Sequence, residues 1–99
     1  SDLLYRGSIY AIDFWHKYWH NISEVMKMTF LEMKATFCRN ILELRLQKNL
    51  SLEALAQRSG VSLYILQALD KGIMPEEMMA DDAIRLAKVF GCKIDELFE

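Results

Sequence analysis

A chain of 99 residues with 53% hydrophobic side chains is long enough for one domain with a real core. Its net charge of −2 does not advertise binding to a polyanion, and no apolar run approaches the ~18 residues of a membrane span. There is no secretory leader pattern, so a cytoplasmic protein is expected. Cys38 and Cys92 both fall inside helical apolar patterns. Reduced, buried thiols are expected there, with a disulfide between the two as the alternative. The apolar content is slightly high for an average soluble chain, which hints at a surface buried against something else.

Charge is unevenly spread. Residues 34–71 carry Lys34, Arg39, Arg45, Lys48, Arg58 and Lys71 against Glu43, Glu53 and Asp70, an excess of +3. Residues 72–99 come to −4 and residues 1–33 to −1. Such an excess is small, since short helices ordinarily carry some Lys and Arg.

Residues 1–8 read as a short arm, with Ser8 able to cap a helix. From Ile9 to Met33 there is no Gly and no Pro. Asp13, Lys17, His20, Glu24 and Lys27 recur at helical steps and form one polar stripe. Ile12, Trp15, Trp19, Ile22 and Met26 form an apolar stripe, which Tyr10, Phe14, Tyr18 and Val25 widen. The pattern predicts one helix of about 37 Å at ~1.5 Å per residue. Asn21 with Glu24 offers the alternative of a capping box that splits it in two. The continuous helix is preferred because the polar stripe keeps its period through Asn21.

That segment is too apolar for a free surface helix, whose apolar stripe is ordinarily a little over ~100° wide. Pairing with a second copy through Ile12, Trp15, Tyr18, Trp19, Ile22 and Met26 is expected, because two-fold pairing is the commonest way to bury such a face. Another protein partner, or a helix folded back and consumed by its own domain, are the alternatives. A membrane-surface role fits poorly, because the polar stripe mixes signs rather than being basic. His16 and His20 lie four apart and with Asp13 could approach zinc, but no further ligand stands at a recognisable spacing, so no metal site is assigned.

From Lys34 to Lys48 a second helical pattern runs through Phe37, Ile41 and Leu44, with no breaker at 33–36. Asn49 then suits the left-handed position just past a helix end. Ser51 caps the next helix, with Glu53 in its first turn, and Gly60 stops it. Ser62 caps a further helix whose Leu66 and Leu69 point inward, and Gly72 ends that one. Two short helices about a tight turn containing Gly make a helix-turn-helix. Pro75 interrupts the linker that follows. Asp81 or Asp82 opens a fourth helix, with Ile84, Leu86, Ala87 and Phe90 inward and Gly91 at its end. A last short helix, closing on Ile94, Leu97 and Phe98, completes the pattern.

These residues carry a resemblance. Ile41 to Arg45, Leu50 to Ala56, Gly60-Val61-Ser62, Leu66 to Asp70 with Gly72, and Ala83 to Gly91 running into Ile94 to Phe98 resemble the XRE, or phage-repressor, type of helix-turn-helix domain. The resemblance implies an all-α, five-helix repressor-like bundle over residues 34–99, here with an added long aromatic helix in residues 1–33. It also implies a structural ion pair between Arg45 and Asp70. The expected activity is DNA-binding transcription regulation, as a dimer on a two-fold operator of double-stranded DNA, with no cofactor and no membrane partner. No nucleophile–base pair, glycine-rich phosphate loop or metal set points to an enzyme.

In such domains the helix beginning near Ser62 enters the major groove. Ser62, Leu63, Tyr64, Gln67 and Ala68 match the family's base-contacting places, and Lys48, Ser51, Arg58 and Lys71 are placed to meet the phosphate backbone. The chain departs from the family's pattern at Leu63 and Ala68, which cannot form bidentate pairs with bases, and at Leu52, where the family often has Gln. Glu76 and Glu77 stand where basic residues are common. Each missing bidentate contact forgoes about 1–3 kcal/mol of discrimination. The second expectation is therefore a protein-interaction module, antitoxin-like or regulator-binding, that kept the fold and lost specific readout through an exposed apolar face of Leu52, Leu63 and Tyr64.

Overall fold

The computed structural model describes Ile12, Asp13 and residues 16–99, and among these every regular element is helical. The expectations for Ser8, Tyr10, Phe14 and Trp15 lie outside the described residues. Ile12, Asp13 and residues 16–18 have helical backbone and lead into a 3-10 turn at Trp19–Asn21. The continuous helix expected over 9–33 is not formed. Ile22 is extended (φ −98°, ψ 158°), and Ser23 follows as an N-cap whose Oγ accepts a hydrogen bond from the Met26 N–H at 3.2 Å. The cap satisfies a donor that a new helix start would otherwise leave open, so a break here costs little. It is Ser23, not Asn21, that caps.

Helix α1 spans Glu24–Gln47 and passes through 33/34 without interruption. Its buried side carries Phe30, Met33, Phe37, Cys38 and Ile41. It ends on Asn49, whose φ of 56° is left-handed, while the Leu50 N–H reaches back to the Arg45 carbonyl at 3.0 Å. This is the Schellman closure, with Asn in the place glycine usually takes.

Helix α2 spans Leu52–Ser59 and helix α3 spans Leu63–Asp70. Ser51 Oγ accepts from the Ala54 N–H at 3.0 Å and Ser62 Oγ from the Ile65 N–H at 3.2 Å. Between them Gly60 takes φ 78°, which a side chain would strain. Buried Ser59 pins the turn. Its hydroxyl donates to the Leu55 carbonyl at 2.6 Å and accepts from the Val61 N–H at 3.1 Å. Val61 is buried beneath the turn.

Helix α4 spans Ala80–Phe90. It starts before Asp81. Asp82 acts from inside the first turn, accepting from the Met79 N–H at 2.9 Å. A final 3-10 helix, Ile94–Phe98, lies along α1, where Phe98 stacks on Phe37 with ring centroids 5.0 Å apart. The Asn40 amide of α1 donates to the Leu97 carbonyl at 2.8 Å and fastens that end of the chain.

α1 also packs on α3, and α2 packs on both α3 and α4. One core joins Phe30 and Phe37 to Leu55, Leu66, Leu69, Met78, Leu86 and Leu97. Ile12 is fully buried in that same core, and Trp19, Ile22 and Met26 pack against it. Of the stripe expected to meet a second copy, Ile12 is thus turned inward, and Trp19, Ile22 and Met26 are partly so. Of its described members only Tyr18 is exposed. The Lys34 and Lys27 ammonium groups sit 4.9 and 5.6 Å from the Trp19 ring centre, close enough for cation–π attraction. The His16 imidazole Nε2 donates to the Met78 carbonyl at 2.8 Å, and Asp13 Oδ1 accepts from the Ala80 N–H at 3.4 Å. The aromatic segment therefore lies along α1 and the linker before α4.

Candidate nucleic-acid interface

The caps on α2 and α3 and the packing of their inner faces decide which side chains of the helix-turn-helix look outward. Ile65, Leu66 and Leu69 are buried, which turns Tyr64, Gln67 and Lys71 to solvent at steps of three and four. Tyr64 is 59% exposed. Ser62 is exposed at the start of α3 and Ser51 at the start of α2. Leu63 and Ala68 are half-buried at the margins of the face. Of the aromatic segment, the described Asp13 and His16 are held elsewhere, at Ala80 and Met78. Leu52 packs partly against the core, so it contributes less to an outer apolar patch than its sequence position implies.

The far end of α3 is anchored. Arg45 Nη2 donates to Asp70 Oδ1 at 2.7 Å, and Nη1 donates to the Leu50 carbonyl at 3.0 Å. The guanidinium opposes an acid that otherwise sits unfavourably at a helix C-terminus. It thereby ties the outward-facing helix to α1.

Arg58 is placed differently from the α3 residues. It lines a shallow groove of about 390 Å³ with Ser59, Arg85, Lys88 and Val89, between α2 and α4. Arg85 and Lys88 were missed by sequence reasoning because residues 72–99 are acidic as a whole. Their spacing of three on one helix face was the available signal. Arg85 is partly engaged by Asp82 at 3.5 Å.

A second groove, of about 320 Å³, is lined by His16, Trp19, His20, Lys34, Met74 and Glu76. Burial lowers the Lys34 amine from its ordinary pKa, with the charges of Cys38 and Glu76 acting in the other direction. Glu76 therefore lies on the groove shared with Lys34, while Glu77 is exposed. Burial pushes the Cys38 thiol up to about 11, opposed in part by Lys34. Cys92 is raised as well, by burial and then by Glu96. Both cysteines are free thiols. No group of three or more metal-ligating side chains occurs among the described residues, and no helix among them is long and apolar enough to cross a membrane.

Two capped helices about a glycine turn, with an open polar face on the second, define a helix-turn-helix nucleic-acid-binding domain. The Cro/C1-type HTH DNA-binding domain family matches residues 40–99, well over half of the chain, and the chain belongs to that family. It is in general terms a DNA-binding regulatory protein. No curated protein and no solved structure matches it. The first two-thirds of α1 and everything before it lie outside the family match.

Proposed function

We propose that this chain is a cytoplasmic transcription regulator of the XRE type that binds a two-fold operator as a dimer and reads it with α3. The observation that carries the reading is the exposed line of Tyr64, Gln67 and Lys71 on that helix. Gln67 has the donor and acceptor needed for a bidentate pair with adenine, and Leu63 offers apolar contact to a thymine methyl. Lys71 and Lys48, with the capped helix starts at Ser51 and Ser62, supply phosphate contacts that fix register without reading sequence. Arg58, joined by Arg85 and Lys88, adds positive charge beside α2. With one bidentate reader and one apolar contact, the operator half-site is short and rich in A·T.

Selection from a random duplex library tests this. Two related A·T-containing half-sites should be enriched. Gln67→Ala should relax one position by about 1–3 kcal/mol. Failure to enrich any sequence, with no affinity at low salt, rejects the reading. A second reading has an observation in its favour: Tyr64 and Ile73 are large, exposed and apolar near the two ends of α3. A protein-interaction module would bind no DNA, and its partner would be lost on Leu63→Asp or Tyr64→Ala.

A further inference from the structure

An ordinary surface helix carries one apolar stripe, and α1 carries two. Phe30, Met33, Phe37 and Ile41 enter the core. On the opposite side Val25, Met28, Leu31, Ala35, Leu42 and Leu46 recur at steps of three, four and seven. Val25 is 73% and Met28 64% exposed, and Leu31 and Leu46 are more than half exposed. Four charges fall on the same side, Glu24, Glu32, Arg39 and Glu43, and Glu32 and Arg39 are the two nearest its middle. They are seven residues apart, about 10 Å along the axis, too far to meet within one chain. Neither makes an ion pair among the described residues.

From this pattern we infer that the outer stripe of α1 pairs with the same stripe of a second copy, antiparallel, about a two-fold axis at Ala35. Residues equally far on either side of the axis then face each other. Met28 meets Leu42 of the second copy, and Val25 lies beside its Leu46. Glu32, three residues before the axis, comes within one residue's rise of the second copy's Arg39, four after its own, close enough for the long side chains to pair, and symmetry makes that pair twice. A parallel arrangement would instead set Glu32 against Glu32 and Arg39 against Arg39, which repel. Ala35, the smallest side chain on the stripe, sits where the backbones come closest.

A strip about 33 Å long on each copy buries on the order of 1,200 Å² in total, at the lower bound of a specific interface. Leu42 is already half-covered within its own chain, so the affinity is moderate.

The pairing does not require DNA, but its purpose rests on the operator reading above. Arg45 lies ten residues from Ala35, so the two Arg45–Asp70 anchors stand about 30 Å apart along the paired helices. That is close to the ~34 Å between half-sites one turn apart. Most of the stripe precedes residue 40, outside the family match.

Sedimentation of the full chain tests the proposal. The 11.6 kDa chain should sediment as a dimer at micromolar concentration. Glu32→Arg and Arg39→Glu should each weaken dimerisation at least about tenfold, and the double swap should restore it. Ala35→Cys should cross-link between copies under mild oxidation far faster than Lys93→Cys. Circular dichroism confirms that each variant folds. A wild-type monomer at those concentrations, single swaps without effect, or no rescue by the double swap overturns the inference. Dimerisation without DNA affinity would reject the operator reading and leave the interface standing. DNA binding by a monomer would overturn the interface and the two-fold operator, and leave only the reading of DNA by α3.

Discussion

Replacing Asp70 by Ala removes the shortest bond of the Arg45 guanidinium, 2.7 Å, and leaves its 3.0 Å bond to the Leu50 carbonyl. The Arg45 side chain is 14% exposed and that of Asp70 31%. Its Nε is already buried without a partner. The pair therefore lies between two limits: exposed pairs are worth at most about 1 kcal/mol, and breaking a buried pair costs about 3–5 kcal/mol. Solvent at Asp70 screens part of the loss, so about 2 kcal/mol is expected. For a domain of this size that lowers Tm by about 8–16 °C. Thermal melts followed by far-UV circular dichroism, at low and high salt, measure it. Arg45→Met should cost less, because it removes the buried charge together with its unpartnered Nε. An Asp70→Ala protein melting within about 2 °C of wild type at low salt would refute the claim that this pair anchors α3.

Ile12→Ala should destabilise the fold by about 2–5 kcal/mol, as expected for a fully buried aliphatic side chain. The loss should not depend on protein concentration, whereas a concentration-dependent loss would place Ile12 at an interface between copies. The raised Cys38 thiol makes a pH prediction. The fold favours the neutral thiol, so this contribution is complete below about pH 9 and is lost as pH rises through about 11. Lys34 is shifted downward and acts with the opposite sign, so comparing urea midpoints of wild type and Cys38→Ala over pH 8–11 isolates the thiol. A parallel pH dependence in the two proteins would contradict the assignment.

The local chemistry of the helix-turn-helix was readable without coordinates. Ser51 and Ser62 as caps, Asn49 and Gly60 as left-handed stops, and the inward Leu66 and Leu69 each follow from one residue and its immediate neighbours. What was not readable depends on contacts across the chain. The break at Ile22–Ser23 leaves the polar period intact, and burial of Ile12 in the molecule's own core, with Trp19 and Ile22 packed against it, accompanies the break. Arg58, Arg85 and Lys88 share a groove only because α2 packs on α4. The outer stripe of α1 is hard to see because nothing in residues 33–36 decides between a straight run and a bend, and only a straight run lines up Val25 with Leu46. Asn40 reads as an ordinary helix residue until Leu97 arrives beside it.

The outward side of α3 is proposed as a surface for a DNA duplex. Binding of a fluorescent duplex, measured by anisotropy across a salt series, tests that most directly. Lys48, Arg58 and Lys71 imply about three neutralised phosphates per copy, hence a slope of log K against log salt of about −3 per copy. Lys71→Ala should weaken binding to every sequence alike and reduce that slope by about 1. Binding that ignores salt, or a Lys71→Ala protein indistinguishable from wild type on every duplex, would contradict it.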